Sequence, residues 1–320
     1  MAISVLMSLK VYDEKDFPSY LPKLNSLYDD LFTGGKGFRA QLIKRVSEAI
    51  RLRAKTQHLL SQTIEFIHNA SLLHDDLVDR SSLRRGKTSA WLRFSPEYAV
   101  LAGDYLLARV MVNLSGFGNI KLVQYTAEMI SDLLEGEWLQ DSLVGDFEVD
   151  LNQLDRVHNL KTSSLFKWCL RAPFMAADRM EPGLHASLSE MGTVLGLLFQ
   201  RSDDLLDFNV RNDEGKALLG DLKAGYLNSF AAFATRDLMS LPRRRDLRDC
   251  KDLNDFFRHL GGREIFEAKL HEFDEKNCFL ISLYQHQLRL LSACLKPEEQ
   301  ELISQLQPLT EILYWRRHPN

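Results

Sequence analysis

Apolar positions in this chain recur at helical spacing almost throughout. In the stretch from Leu59 to Asp79, Leu60, Ile64, Ile67, Ser71 and His74 fall on one stripe. Leu59, Thr63, Phe66, Ala70 and Leu73 form the stripe beside it. A helix apolar over that much of its circumference is a buried, central one. Residues 187–208 read the same way. The spacing predicts further helices over 38–52, 97–114, 120–142, 151–179, 225–240, 252–260, 262–278, 279–295 and 297–315. Breaks are expected at GGKG (34–37), RRGK (84–87), SGFG (115–118), EPG (181–183) and GG (261–262). No sustained apolar/polar alternation bounded by hairpin turns is present, so strands are not expected. No Pro-, Ser- or Gly-rich linker divides the chain. The expected architecture is therefore one all-α domain over residues 1–320, although a length prior of roughly 150 residues per domain would suggest two.

Composition narrows the function classes. The 320 residues are 45% apolar and 26% charged, enough apolar surface to build a core. The net charge of −4 leaves no global basic field for nucleic acid, so an anionic ligand needs local cations or metal ions. Cys169, Cys250, Cys278 and Cys294 contain no CxxC pair and read as thiols of a cytosolic protein. The N-terminal stretch lacks the cationic start of a leader, and no unbroken apolar window approaches about 18 residues. A cytoplasmic protein without a transmembrane segment is expected.

One short motif occurs twice, each time near the end of a buried helix: Asp75-Asp76-Leu77-Val78-Asp79 and Asp203-Asp204-Leu205-Leu206-Asp207. On an α-helix the first and last Asp of such a row stack on one face, with the middle Asp about 100° away. Crowded carboxylates raise one another's pKa unless a cation is near. Hard oxygen donors without a Cys/His cage favour Mg²⁺ bridged to substrate phosphates. Lys36, Arg39, Arg84, Arg85, Lys161, Lys216, Arg316 and Arg317 supply cations suited to a polyanion. His74, beside the first row, reads as a packing histidine.

These residues resemble a family. GGKGFR (34–39), SLLHDDLVDRSSLRRGK (71–87), LAGDYLLAR (101–109), EGEWLQ (135–140), KTSSLF (161–166) and GLLFQRSDDLLDF (196–208) look like the trans-isoprenyl diphosphate synthases, the polyprenyl synthetase family. The resemblance implies an all-α isoprenoid synthase fold with a central cavity between antiparallel helices, and a homodimer. It implies Mg²⁺-dependent head-to-tail condensation of isopentenyl diphosphate with an allylic diphosphate. Asp75, Asp79 and Asp203 would hold three Mg²⁺ ions, with Asp76, Asp204 and Asp207 as further ligands or their supports. Lys36, Arg39, His68 and Arg85 match the isopentenyl diphosphate site. Arg84, Lys161 and Lys216 match residues on the allylic diphosphate, and Thr162 and Gln200 line the place where the carbocation forms.

Two departures stand out. The family pattern D-x-x-x-G-K-x-T here reads Asp221 to Asn228, with Tyr226 for the Lys, Asn228 for the Thr, and Lys223 three residues early. Arg201 follows Gln200 where an apolar residue is usual. Ala70 and Ser71 are small where family members that stop at farnesyl carry aromatics. Ile67 and Phe66 come one turn deeper, so products of geranylgeranyl length or longer are expected. The competing readings are a non-catalytic partner subunit, which typically loses an Asp row, and a class I terpene cyclase, which would not need the GGK and RRG phosphate site.

Overall fold

The computed structural model describes residues 14–32, 37–84, 86–209, 218–237, 240 and 244–314. Lys36, Arg85, Lys216, Arg316 and Arg317 lie outside the described residues, as does most of the GGKG break. The chain is all-α apart from one two-residue strand pair among the described residues. Its contacts divide it into two compact units, Met1–Ile130 with Trp168–Glu181, and Ser131–Lys167 with Pro182–Asn320.

In the first unit, α1 (Pro22–Phe32), α2 (Phe38–Ala49), α3 (Ala54–Val78), the short α4 (Ala90–Arg93) and α5 (Pro96–Phe117) follow one another. The apolar stripes of α3 are the core: Leu60, Ile64, Phe66, Ile67, Ala70 and Leu73 are all buried. Helix α5 packs along α3. It starts at a capping Ser95 with Pro96 at the first position, and stops at Gly118 with φ 86°. The SGFG break is thus a single-residue stop, one residue beyond an intact helix. His74 lies against Gly103, where a Cβ would fall 2.2 Å from His74 Nε2, which makes it the packing residue the sequence suggests.

Among the described residues only α5 is long and apolar enough to cross a membrane by length and composition. Asp104 and Arg109 interrupt it, which is why no unbroken apolar run is visible. The RRGK break is a tight antiparallel hairpin, β1 (Leu83–Arg84) with β2 (Lys87–Thr88). Strands this short carry no period-two signal.

In the second unit, α6 (Ile120–Ser142, begun in the first) leads to α7 (Leu151–His158), which Asp150 and Gln153 start with a reciprocal capping box. The expected helix 151–179 is not continuous. A π-helical turn, Asn159–Ser163, separates α7 from α8 (Ser164–Ala176). Helix α9 (Pro182–Asp204) runs into a 3₁₀ turn, Leu205–Phe208. After the short α10 (Gly220–Lys223), the expected helix 225–240 starts late, as α11 (Ser229–Thr235), because Gly225 at φ 90° is not helical and Asn228 caps the helix three residues on. After α12 (Leu253–Leu260), α13 (Arg263–Cys294) is one 32-residue helix where two were expected; no Gly or Pro stands at 278–279 to end it. Helices α14 (Glu301–Leu306) and α15 (Leu309–Leu313) follow. Phe208, Phe230, Phe256, Phe266 and Phe273 form an aromatic core, with centroids 5.0 Å apart for Phe208–Phe230 and 5.5 Å for Phe230–Phe273.

Candidate active site

The first Asp row sits where α3 runs out of core. The amide N–H of Asp79 donates to the Asp75 carbonyl at 2.8 Å, so the helical offset carries through the cap and the two residues stack. Asp75 is half-buried and Asp79 exposed, whereas Asp76 is buried at 5%. Arg84 donates from Nε to Asp76 Oδ1 at 2.8 Å and also from Nη2. The hairpin is thereby pinned to the helix, and Arg84 is engaged by a carboxylate rather than standing alone.

Two other expected residues of this unit come together. Arg39 Nη1 lies 3.2 Å from His68 Nε2, and the Ala40 amide donates to Glu65 Oε1 at 3.2 Å. This joins the start of α2 to the middle of α3. A guanidinium and an imidazole side by side are suited to an anion. Ala70 and Ile67 are fully buried, Ser71 is half-buried with its hydroxyl on the His68 carbonyl at 2.9 Å, and Phe66 makes an edge contact with Phe17 at 6.0 Å.

The second unit gathers Lys161, Thr162, Gln200 and the second Asp row. Three glycines make this possible. A Cβ at Gly196 would fall 2.4 Å from Ser163 Cα, one at Gly192 2.6 Å from Lys167 Cα, and one at Gly136 3.0 Å from the Lys161 amide nitrogen. Without side chains there, the π turn and α8 settle directly on the backbones of α9 and α6. π turns inside helices are frequently found at functional sites. Thr162 Oγ1 then donates to Gln200 Oε1 at 3.2 Å, and Gln200 Nε2 donates to Asp204 Oδ1 at 3.0 Å. Lys161 pairs with Glu137.

The three carboxylates of this row are not equivalent. Asp203 is half-buried. Asp204 is buried at 3%, and its Oδ2 accepts from the Ser229 amide at 2.9 Å and hydroxyl at 2.5 Å. Asp207 is fully buried and accepts from the Asp221 amide at 2.8 Å. The expected stacking of Asp203 and Asp207 on one α-helical face does not occur. The backbone tightens to 3₁₀ after Asp204, and about 120° per residue replaces about 100°. Burial holds His158, next to this row, below the usual histidine range against the pull of Asp204 and Asp155.

The departures have structural roles. Asn228 caps α11, accepting from the Ala231 amide at 3.1 Å and donating to Asp221 Oδ2 at 3.0 Å, as a threonine cap would in part. Lys223 is exposed, with its ammonium on the Leu218 carbonyl at 3.0 Å. Gly192, Asp155 and Ser229 were not singled out from sequence, and Gly136, Glu137 and Gly196 lay within the quoted motifs EGEWLQ and GLLFQRSDDLLDF without a role. Small residues at i and i+4 in α9 are the signal that could have marked a close helix crossing.

Comparison with known proteins identifies the family. The family model for polyprenyl synthetase matches residues 21–252. The chain belongs to the polyprenyl synthetase family. It is 34% identical over 234 residues to the chloroplastic solanesyl diphosphate synthase 1 of Arabidopsis thaliana, a match covering 71% of this chain and 57% of that protein. It is 34% identical over 193 residues to the octaprenyl diphosphate synthase of Escherichia coli, covering 60% and 59%. The chain thus spans somewhat over half the length of these curated relatives. A crystal structure of a decaprenyl diphosphate synthase from Rhodobacter capsulatus superposes with a TM-score of 0.81 at 25% identity, covering 94% of this chain and 92% of that one.

Proposed function

We propose that the protein is a trans-polyprenyl diphosphate synthase. It would condense isopentenyl diphosphate head-to-tail with an allylic diphosphate and release products of geranylgeranyl length or longer. The observation that carries this reading is the chain Thr162–Gln200–Asp204 at the π turn. Asp204 accepts a hydrogen bond from the Gln200 amide nitrogen, which turns the carbonyl oxygen of that amide toward Thr162. The negative end of the Gln200 dipole and the Thr162 hydroxyl oxygen are then held ready for an allylic cation, fixed before the reaction begins.

Carboxylate oxygens are the donor chemistry of a Mg²⁺ site, and among the described residues no three acidic, His or Cys side chains converge on one point. Asp75 and Asp203 are half-buried and Asp79 exposed, whereas Asp76, Asp204 and Asp207 are buried. In each row the less buried carboxylates, Asp75 and Asp79 in the first and Asp203 in the second, are the residues that would hold Mg²⁺, with the buried ones beside them as supports. The bound metal would supply the charge neutralisation that makes diphosphate a leaving group. Lys161 adds a positive charge beside it. Arg39 and His68 would hold the diphosphate of isopentenyl diphosphate, and positioning supplies much of the rate. The proton lost at the end passes to the departed diphosphate. The names of the solanesyl, octaprenyl and decaprenyl relatives favour a long product, as do the small Ala70 and Ser71. A cytoplasmic homodimer is part of the proposal. Trp138 and Leu134 on α6, 80% and 52% exposed, are apolar surface that a second copy would cover.

The test is turnover of labelled isopentenyl diphosphate by wild type, Asp75→Ala and Asp203→Ala with Mg²⁺ present. Both variants should lose turnover while keeping the helical signal by circular dichroism. Near-normal turnover in both would overturn the reading.

A further inference from the structure

Arg201, the residue out of keeping with the family pattern, is buried at 4% immediately beside Gln200 and two residues before Asp203. Its guanidinium is engaged through both terminal nitrogens, while its Nε is buried without a hydrogen-bond partner. Nη2 donates to both oxygens of Asp155 on α7 at 2.9 and 2.7 Å, and Nη1 donates to Asn277 Oδ1 on α13 at 2.7 Å. Asn277, itself fully buried, donates to the Tyr314 hydroxyl at 2.5 Å. The ring of Phe273 lies 5.6 Å beneath the guanidinium.

Asp155 stands one turn before the π turn that carries Lys161 and Thr162. Arg201 stands on the helix that carries Gln200, Asp203 and Asp204. One side chain therefore ties together the two backbone segments whose spacing sets the Thr162–Gln200 hydrogen bond. A π turn, with its backbone bonds out of α-helical register, gives that segment less restraint of its own. An apolar residue at 201 could fill the volume but could not fix the register of α7 along α9, because apolar contact is non-directional.

We infer that Arg201, braced by Asp155 and Asn277, is a positioning residue of this protein, fixing the π turn that carries Lys161 so that Thr162 is held against Gln200. Its effect falls on the allylic diphosphate and spares isopentenyl diphosphate, whose expected ligands Arg39 and His68 belong to other elements. The inference rests on the function proposed above for its kinetic consequence, but not for its structural one.

The experiment uses the double variant Arg201→Met/Asp155→Asn, which removes both charges with little change of volume, and Arg201→Lys, which keeps a charge but cannot span Asp155 and Asn277 at once. Two readouts are taken on protein shown by circular dichroism to be folded. Hydrogen exchange over residues 159–163 should be faster in both variants. kcat/KM for the allylic diphosphate should fall by about 10- to 100-fold, while the KM for isopentenyl diphosphate stays within about twofold. Unchanged exchange, unchanged allylic kinetics in a folded variant, or an equal rise in KM for both substrates overturns the inference. Should the double variant fail to fold, Arg201→Lys decides by the same readouts. A wild type without turnover would instead sink the proposed function, and the exchange rates then judge the brace alone.

Discussion

Gly196→Ala is a single-methyl test of how the site is assembled. In the middle of a helix, alanine in place of glycine is worth about 1 kcal/mol of stability on propensity alone. Here the added Cβ would fall 2.4 Å from Ser163 Cα and 2.2 Å from its Oγ. Carbon atoms rest at about 3.5–4.0 Å, so the Ser163 backbone must retreat by about 1 Å. A hydroxyl could rotate out of the way, but the Cα cannot. Overpacking of this kind costs about 1–3 kcal/mol, which cancels or exceeds the propensity gain. The larger consequence is functional. Thr162 neighbours Ser163, and its bond to Gln200 is already 3.2 Å, so a shift of about 1 Å breaks it. Misplacement on that scale costs about 100-fold in rate. The assay pairs thermal melting with kcat/KM for the allylic diphosphate. A melting temperature equal to or below wild type with a loss of about 100-fold in kcat/KM is expected. A variant more stable than wild type with unchanged kinetics would refute the close-packing account of the π turn.

Four further outcomes are expected. Gly103→Ala should destabilise the protein by about 1–3 kcal/mol in a melt, because its Cβ meets the His74 ring; a stabilised variant would show the ring is free to move aside. Ala70→Phe should shorten the products toward farnesyl by chromatography, and unchanged products would remove Ala70 from chain-length control. Burial pushes the Cys169 thiol up, and that of Cys250 up to about 11, so neutral-pH alkylation followed by mass mapping should label exposed Cys278 and spare both. Hydrogen bonds from Arg236 and the Gln153 amide hold the Asp150 carboxyl below its usual range. Its contribution is therefore full above the ordinary carboxylate pKa and lost as pH falls through the depressed value. Asp150→Ala should cost about 1 kcal/mol at neutral pH and progressively less on acidification, as read from denaturant melts.

The buried stripes of α3 and α9, and the placing of an Asp row at the end of each, follow directly from helical periodicity. What the periodicity missed are departures from it. A π turn inside a 151–179 run changes the register without changing the apolar pattern, because Thr162, Ser163 and Leu165 are buried either way. The 3₁₀ turn after Asp204 likewise leaves Leu205 and Leu206 in the core while turning Asp207 inward. From residue types alone the six aspartates are interchangeable. Burial separates Asp76, Asp204 and Asp207, all buried, from Asp75, Asp79 and Asp203, the same division the family resemblance implies. Arg201 could be seen as anomalous in sequence, but its partners Asp155 and Asn277 lie 46 and 76 residues away, so its role was not legible.

The decisive measurement is incorporation of labelled isopentenyl diphosphate onto allylic primers by the wild-type chain with Mg²⁺, followed by chromatography of the dephosphorylated products. Metal-dependent incorporation is expected, with primer consumed and all-trans products of geranylgeranyl length or longer. No incorporation onto dimethylallyl, geranyl, farnesyl or geranylgeranyl diphosphate by the folded protein would contradict the proposed function.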